Sequence, residues 1–421
     1  MTRLATPLVA LAALALACGP APHGPVGPTN CGSPPAADAG SVGALAQGNG
    51  QFALDLFGQL AEKADGGNVF ASPFSVSAAF GMVYAGAAGT TAQQIQAVLH
   101  YPAAATDLAP AFGALDCELA SDGAGPDGGQ LDIANGLFGE KSLPFEPAFL
   151  SILQNDYGAP LQKVDFAGDP SGATGTIDQW VSDETNGLIP KLLQPGDVDS
   201  STLLVLADAI YFHGLWQTAF DPNQTQTGSF QTSAQRSVQL PMMGAGVSAP
   251  YFKGAGFAMV ELPYQSRTAM DVILPDAVDG LPALEAQLNP QSLQSWLSKL
   301  APPPGGQSIA LELPKFSLDL REDLVQPLEA LGLTAPFGAA DFSGIDGERD
   351  ITVAKVIHEA VLRVEESGTE AAAATAVVMV GMSAPMIYAT VQVNHPFLVL
   401  IRDLPTGTIL FVGQVTDPTA G

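Results

Sequence analysis

The chain has 421 residues, of which 47% are hydrophobic and 7% aromatic, a composition typical of a globular interior and unlike that of a disordered or collagen-like chain. Its formal net charge is -27, with 15 Lys and Arg residues against 42 Asp and Glu. Because nucleic acids and heparin-like polyanions are bound by clustered cations, we expect neither partner, and we interpret the acidity as favouring a soluble monomer.

The N-terminal residues 1–17 combine a basic Arg3 with a short apolar run, which predicts a signal peptide rather than a membrane span. Cys18 follows directly and resembles the lipidated cysteine of bacterial lipoproteins, although Ala15 stands where that pattern usually has Leu. The resemblance implies a lipid anchor at Cys18, the only membrane contact we expect, on an exported bacterial protein at the outer membrane or cell surface. Cleavage without lipidation would instead give a secreted, extracellular protein.

Residues 18–44 are rich in Pro, Gly, Ala and Ser and show no apolar periodicity, which predicts a flexible tether. Cys31 lies in this tether, and Cys117 is the remaining cysteine. An oxidising compartment permits a disulfide between them, but two cysteines do not require one. We interpret residues 45–421 as a single domain, in which the Pro/Gly-rich stretch 301–306 is a surface loop rather than a linker.

Helical patterns dominate the first part of this domain. Apolar residues at helical spacing predict a helix over 51–60, and small residues after the start signal Ser72-Pro73 predict a second over 75–86. Within residues 174–193, apolar side chains on one face predict a third helix, which is expected to end at Asn186-Gly187.

Strand-like patterns dominate the second part. Residues 203–212 are nearly all apolar, which predicts a central strand covered on both faces. Gly, Pro or charged turns separate further strand-like runs at 258–262, 269–274, 309–313, 361–364, 397–401 and 409–412. Helices followed by strands predict an α+β fold with substantial antiparallel sheet.

The segment from Gly368 to Met382 is compatible with two secondary structures. Its alanines favour helix, whereas the following valines and threonines favour strand. Gly368 permits a bend, small side chains recur at alternate positions from Thr369, and no Pro interrupts the segment, so it can add a strand to a sheet. Extended, it spans roughly 45–50 Å at about 3.3 Å per residue. A membrane span over 371–401 is the alternative, and Pro385 and the polar residues near its end argue against it.

Catalytic and metal-binding patterns are weak. Ser72, Ser75, Asp208 and His358 are the residue types of a hydrolase, but no Gly-x-Ser-x-Gly or Ser-x-x-Lys motif accompanies them. Their apolar surroundings predict a buried polar cluster instead. The His and Cys spacings match no metal motif, so we expect neither an enzyme nor a bound metal or cofactor.

The segment 364–376 resembles the hinge of the serpins, and the match extends over nearly all of the chain after the tether. Further segments follow the order of that family at 68–75, 208–216, 313–316, 341–344, 356–360 and 394–397. The resemblance implies a serpin fold, in which helices pack around three mainly antiparallel sheets and a reactive-centre loop, about residues 366–390, is exposed.

The resemblance also implies a suicide inhibitor of serine proteases, with cysteine proteases as a further class. A target protease would cut the loop and be trapped in a covalent complex while the loop inserts into the central sheet. Counting from the hinge places the cut between Met382 and Ser383, with Met379 and Met386 as other candidates. An unbranched Met suits chymotrypsin-, elastase- or subtilisin-like pockets. A non-inhibitory serpin with a binding or chaperone-like role is the alternative.

Site residues follow from the same resemblance. The hinge comprises Glu366, Gly368, Thr369, Glu370, Ala371, Ala372, Ala373 and Ala374. Lys315 and Glu366 are expected to pair at the top of the central sheet, with Trp216 nearby. Ser72, Ser75, Asp208 and His358 are expected to form a gate that controls opening of this sheet. Asp208 stands where the family usually has Asn, and burial beside His358 would make opening depend on pH.

Overall fold

The computed structural model describes residues 31–102, 104–125, 129–369 and 386–420. The helices are α1 (Ala39–Ala64), α2 (Pro73–Tyr84), α3 (Gly89–Val98), α4 (Ala105–Gly123), α5 (Pro147–Asn155), α6 (Pro170–Glu184), α7 (Leu281–Glu285), α8 (Pro290–Leu297), α9 (Val325–Ala330) and α10 (Ser343–Asp346). The strands are β1 (Val69–Ala71), β2 (Gln130–Glu140), β3 (Gln162–Val164), β4 (Leu204–Leu215), β5 (Gln226–Ser233), β6 (Arg236–Val247), β7 (Tyr251–Lys253), β8 (Phe257–Pro263), β9 (Thr268–Pro275), β10 (Ser308–Pro314), β11 (Phe316–Asp323), β12 (Val356–Val364), β13 (Gly368–Thr369), β14 (Ile387–Gln392), β15 (Phe397–Asp403) and β16 (Ile409–Val415).

The strands of the described residues form three sheets. Sheet A has the order β11-β12-β13-β4-β2-β3, sheet B the order β1-β16-β15-β9-β8-β7, and sheet C the order β14-β10-β6-β5. Most pairs are antiparallel, and the parallel ones are β12 with β4, β2 with β3, and β10 with β14. The expected arrangement of helices around three mainly antiparallel sheets is confirmed.

Each predicted helix and strand overlaps an observed one, but α1 begins at Ala39, twelve residues before the predicted start at 51. The first two predicted helices lie within or largely over α1 and α2, and α6 begins at Pro170 and stops before the left-handed pair Asn186 (φ 51°) and Gly187 (φ 79°). The apolar run 203–212 corresponds to β4, which lies between β13 and β2 in sheet A. One face of β4 packs against α2 and the other against α6, which explains why nearly every residue of the run is apolar.

The predicted tether is wrong at its C-terminal end. Helix α1 begins at Ala39, where the side chain of Asp38 caps it by accepting a hydrogen bond from the backbone N–H of Ser41 at 3.0 Å. An Asp cap and the burial of Val42 against the core stabilise this turn despite its loop-like composition. Further upstream, a disulfide joins Cys31 to Cys117 on α4, with their Cα atoms 5.3 Å apart.

The stretch 301–306 is a loop inside the domain, as predicted. Ala301 forms a β-bridge with Tyr251, and Pro304–Gly306 make a single 3₁₀ turn before β10. Helix α8 before this loop and strand β10 after it belong to the same hydrophobic core.

Sheet A opens as a wedge between β12 and β4. At the narrow end these strands pair directly, from Val356 opposite Leu206 to His358 opposite Asp208. At the wide end β13 lies between them, with Thr369 opposite Val364 on one side and Gly214 on the other. Paired strands lie about 4.8 Å apart, so the separation of β12 from β4 doubles over the five residues 209–213 of β4.

Across the described parts of the chain, no helix is both long enough and apolar enough to cross a membrane.

Candidate functional site

The wide end of the wedge holds the first two residues of the predicted insertion segment. Gly368 lies against the backbone of β4, where an added Cβ would come within 2.0 Å of the carbonyl oxygen of Gly214. Only glycine fits this space without moving one of the two strands. The hinge therefore enters sheet A through a position at which the sequence has no side chain.

Thr369 is fixed inside the sheet by a tyrosine. Its side chain is 2% exposed, and its hydroxyl oxygen lies 2.6 Å from the hydroxyl oxygen of Tyr264. The ring of Tyr264 stacks on Trp216, with centroids 4.5 Å apart and planes 11° from parallel. Trp216 therefore supports the hinge through Tyr264, close to where the resemblance placed it.

The backbone carbonyls of the turn between β12 and β13 accept hydrogen bonds from the segment after β4. The indole N–H of Trp216 donates to the carbonyl of Glu365 at 2.9 Å, and its backbone N–H donates to that of Ser367 at 3.0 Å. The backbone N–H of Phe220 donates to the carbonyl of Glu366 at 2.8 Å. These bonds fix the direction in which the chain leaves β12 and turns back into the sheet.

An ion pair closes the top of the wedge. The ammonium of Lys315 lies 2.7 Å from one carboxylate oxygen of Glu366, and the hydroxyl of Thr225 donates to the other at 2.8 Å. Burial alone would raise the pKa of Glu366, but the hydrogen bonds from Lys315 and Thr225 outweigh it and lower that pKa. The carboxylate is therefore ionised at neutral pH, and the pair links the turn between β12 and β13 to the junction of β10 and β11.

The narrow end of the wedge contains the four predicted gate residues, all of them buried. Helix α2 begins here, and its first N–H groups need acceptors because a helix start has no intrahelical partners. Ser72 is the N-cap and accepts from the backbone N–H of Ser75 at 3.4 Å, while its own backbone N–H donates to Nε2 of His358 at 3.0 Å. The hydroxyl of Ser75 donates to the carboxylate of Asp208.

His358 and Asp208 form the last direct pair of β12 with β4 before the strands separate. Nδ1 of His358 lies 3.4 Å from Oδ2 of Asp208, and both atoms are buried without an aligned hydrogen bond. Because Nε2 accepts the N–H of Ser72, the neutral imidazole carries its proton on Nδ1, facing the carboxylate. Any strand that advances down the wedge must separate this pair first.

The same geometry shows how these side chains differ from a catalytic triad. Within this described cluster, Ser75 donates to a carboxylate, Ser72 accepts from a backbone N–H, and the acceptor nitrogen of His358 is occupied by a backbone N–H. A triad requires instead that a serine hydroxyl donate to the histidine and face a substrate. All four side chains are enclosed between α2 and sheet A, so this arrangement couples elements and does not supply a nucleophile.

Three residues of the site were not predicted from the sequence. Tyr264 binds Thr369, Thr225 binds Glu366, and Asn135 lies opposite Asp208 on β2 with a buried amide oxygen that lacks a hydrogen bond. The first two contacts join residues 105 and 141 positions apart, so no local pattern in the sequence indicates them.

Part of the predicted site lies outside the described residues. This holds for Cys18, Met379, Met382, Ser383 and the hinge residues Glu370, Ala371, Ala372, Ala373 and Ala374. Met386, the third candidate for the cut, is described and is 73% exposed immediately before β14.

Comparisons with known proteins agree with this geometry. The family model described as "Serpin (serine protease inhibitor)" matches residues 47–418. The leukocyte elastase inhibitor of Bos taurus is 38% identical over 388 residues, which cover 89% of this chain and 99% of that protein.

Solved structures show the same fold. A crystal structure of maspin superposes with a TM-score of 0.81 at 29% identity, covering 90% of this chain and 100% of that one. A structure of thyroxine-binding globulin in complex with thyroxine gives a TM-score of 0.79 at 28% identity, covering 89% and 99%. With a family match over most of its length, a wedge in its central sheet and a hinge seated in that wedge, this chain belongs to the serpin family.

Proposed function

We propose that this chain is a suicide inhibitor of serine proteases, whose cleaved reactive-centre loop inserts into sheet A between β12 and β4. The observation that carries the proposal is the position of β13. Gly368 and Thr369 already occupy the wide end of the wedge, and the loop continues the chain from Thr369. Insertion therefore extends an existing strand and needs no new nucleus.

The energetics favour insertion once the loop is cut. Each residue added to the strand can hydrogen bond to β12 and β4, at a net gain of roughly 1 kcal/mol per bond. Against this stands the loss of three direct residue pairs between β12 and β4, ending at His358 and Asp208. Intact, the loop is held at both ends, so the uncut protein is kinetically trapped in the less stable state.

The specificity proposal rests on the loop sequence and on the relatives. The cut between Met382 and Ser383 would present an unbranched apolar side chain, which offers no charge to the acid of a trypsin-like pocket. The bovine relative carries the name leukocyte elastase inhibitor, which supports an elastase-, chymotrypsin- or subtilisin-like target. Cysteine proteases are a further class within the same mechanism.

A second function is a serpin-fold binding or chaperone-like protein that does not inhibit. The likeness to thyroxine-binding globulin, solved in complex with thyroxine, favours this alternative because it shows the fold in a binding role. The hinge sequence opposes it, since Ala371 to Ala374 are small enough to enter the sheet. The two functions differ in whether a protease is trapped.

We further propose that the protein is exported and anchored through Cys18 after removal of residues 1–17. The disulfide between Cys31 and Cys117 supports export, since disulfides persist in oxidising compartments. Metabolic labelling with a radioactive fatty acid tests the anchor. The parent should be labelled and Cys18→Ala unlabelled, and equal labelling of the two would contradict lipidation at this residue.

The inhibitory function is tested by incubating the protein with chymotrypsin, elastase, subtilisin and trypsin, followed by electrophoresis in detergent after boiling. We expect a covalent adduct with at least one of the first three. Thr369→Arg should give clean cleavage without an adduct, because the arginine would bury its charge where Thr369 is 2% exposed. Thr369→Ser is the matched control and should retain the adduct. Cleavage of the parent by every protease without any adduct would contradict inhibition.

A further inference from the structure

A disulfide on the surface of α4 holds the segment that precedes α1. Cys31 and Cys117 are both partly exposed, so a reductant in solution can reach the bond between them. We call residues 31–38 the N-terminal clasp, because they connect this bond to the start of α1 at Ala39. Everything upstream of the clasp is therefore joined to the domain first at α4, and not at α1.

The clasp runs along one face of α4. Gly113 and Cys117 lie one turn apart on this helix and therefore on the same face. Cys31 is bonded to Cys117, and the ring of Pro35 covers Gly113, where its Cγ lies 2.8 Å from the position that a Cβ would occupy. The clasp is thus antiparallel to α4, and a side chain at position 113 would collide with it.

Apart from the disulfide, the clasp has few attachments. Its residues 32–34 and 36 are exposed, and Pro35 and Ala37 are partly buried. Within the described part of the chain, no hydrogen bond joins residues 31–37 to the rest of the domain. Fixing the backbone of these residues costs more free energy than the contacts of two small side chains return. Without the covalent bond, the clasp should therefore leave α4.

The rest of the fold does not depend on the clasp. Helix α1 keeps its cap in Asp38, whose carboxylate accepts the backbone N–H of Ser41 at 3.0 Å. The interior side of α4 carries Phe112, Leu115 and Leu119, which are fully buried in the main core. Release of the clasp therefore removes no part of that core, although it lowers the stability because the unfolded chain is no longer cross-linked.

We propose that the bond between Cys31 and Cys117 is a site of thiol–disulfide exchange, at which a dithiol reductant releases the N-terminal clasp from α4. The inference rests on the proposed export, because the bond must first form in an oxidising compartment. A thioredoxin-like dithiol protein is the class of partner that carries out this chemistry. Release is local, and the domain stays folded.

The exchange proceeds in two steps. A thiolate of the reductant attacks one sulfur of the pair, which forms a mixed disulfide and expels the other cysteine as a thiolate. The second thiolate of the reductant then attacks the mixed disulfide and expels the first cysteine. The reductant is oxidised to its own disulfide, and Cys31 and Cys117 together gain two electrons and two protons.

Release changes how the upstream chain is attached. In the oxidised protein this chain joins the domain at Cys117, whereas in the reduced protein it joins at Asp38. The segment from residue 31 to residue 38 spans at most about 25 Å when extended. A domain anchored through its N-terminus would therefore move up to about 25 Å farther from the anchor, which extends the reach of the reactive-centre loop.

The experiment combines dithiothreitol, a small dithiol, with a protease that reports release. A chain carrying Cys18→Ala contains no cysteine besides the pair. Ala36→Leu, at an exposed position of the clasp, adds a site for thermolysin, a metalloprotease that a serine protease inhibitor does not trap. The oxidised protein is reduced without denaturant, its thiols are blocked with iodoacetamide, and the reductant is removed before thermolysin is added.

We expect mass spectrometry to find two blocked thiols per molecule after reduction. Thermolysin should cut between Pro35 and position 36 about tenfold faster, or more, than in the oxidised protein, because a protease acts on a segment that can leave the surface. The matched control adds Cys31→Ser and Cys117→Ser to the same chain, and it should be cut at the reduced rate without any reductant. The near-ultraviolet circular dichroism of all three proteins should agree.

The other outcomes overturn the proposal. An absence of blocked thiols in the folded protein would show that the bond is not an exchange site. Equal cutting of the oxidised, reduced and serine-substituted proteins would show that the disulfide does not hold the clasp. Loss of the near-ultraviolet signal, with cuts throughout the domain, would show that reduction unfolds the domain. None of these readouts depends on protease inhibition or on export, so a failure here is distinct from a failure of the proposed function.

Discussion

The carboxylate of Asp208 lies beside His358, whose imidazole holds the start of α2. The carboxylate accepts a hydrogen bond from the hydroxyl of Ser75 on α2 and faces Nδ1 of His358 on β12. It therefore joins the two elements that border the narrow end of the wedge.

Asp208→Asn should therefore make sheet opening faster. A neutral amide oxygen attracts the hydroxyl of Ser75 and the N–H at Nδ1 of His358 less strongly than a carboxylate does. We expect a synthetic peptide with the sequence of residues 369–382 to insert into the uncut variant several-fold faster than into the parent at the same pH. Equal insertion rates for the two proteins would contradict a role for this carboxylate.

At the scale of residues, the sequence predicted which side chains form the site better than it predicted the contacts between them. Ser72, Ser75, Asp208 and His358 were grouped from the family resemblance, and the structure places them around the start of α2. The tyrosine that binds Thr369 was not predicted, because Tyr264 is 105 positions away in the sequence. Contacts of this kind depend on the register of separate strands, which single-sequence patterns do not contain.

Among the elements, β12 carries an acidic residue, Glu359, whose environment affects the stability of the fold. Glu359, 8% exposed, follows His358 at the narrow end of the wedge. Burial, together with the nearby carboxylate of Asp319, raises the pKa of Glu359 to about 7. Because the folded state holds this proton at pH values where the unfolded chain has lost it, the stability due to Glu359 falls as the pH rises from about 4 to about 7.

Glu359→Gln should remove that penalty. We expect the variant to unfold at a higher temperature than the parent at pH 8 and at a similar temperature at pH 4, with a gain at pH 8 of up to about 3 kcal/mol. Thermal unfolding at a fixed scan rate measures the difference, and Glu365→Gln, at an exposed position, is the control. A variant less stable than the parent at pH 8 would show that the ionised Glu359 is stabilising.

The two-residue strand β13 depends on the missing side chain of Gly368. Gly368→Ala would place a methyl group against the carbonyl oxygen of Gly214, so we expect β13 to leave the wedge. Insertion would then start from outside the sheet, and a larger fraction of cut molecules would release the protease before trapping. The measured quantity is the number of inhibitor molecules consumed per protease molecule inhibited, which should increase several-fold. An unchanged ratio would show that prior insertion of the hinge does not matter.

Elements with strong periodicity were predictable, and elements shaped by their partners were not. The apolar run of β4 reflects burial on both faces of that strand. The helical spacing of apolar residues in α1 reflects burial on one face of that helix. No expectation covered β2, whose glycines Gly136 and Gly139 interrupt the strand pattern. The structure explains them, because a Cβ there would meet Phe138 and Trp180 at the first position and Phe145 at the second. The start of α1 was placed too late for a similar reason, since its cap lies in a sequence with loop-like composition.

For the whole molecule, the disulfide between Cys31 and Cys117 links the N-terminal segment to α4 across 86 residues. Cross-linking a loop of this length reduces the entropy of the unfolded chain, which corresponds to about 4.6 kcal/mol of stability in the chain-entropy model. The double variant Cys31→Ser with Cys117→Ser should unfold at a lower temperature than the oxidised parent. Reduction of the parent with a thiol should give the same shift, and an unfolding temperature unaffected by either treatment would contradict a stabilising role.

The central claim is that the cut loop becomes a strand of sheet A, and thermal unfolding before and after a single cut in the loop tests it most directly. Insertion adds a strand between β12 and β4, so the cut parent should unfold at a temperature roughly 10–20 °C higher than the intact parent, at about 10 kcal/mol of added stability. The cut Thr369→Arg variant should show little or no increase, and Thr369→Ser should behave like the parent. A cut parent that unfolds at the same temperature as the intact protein, or at a lower one, would contradict insertion.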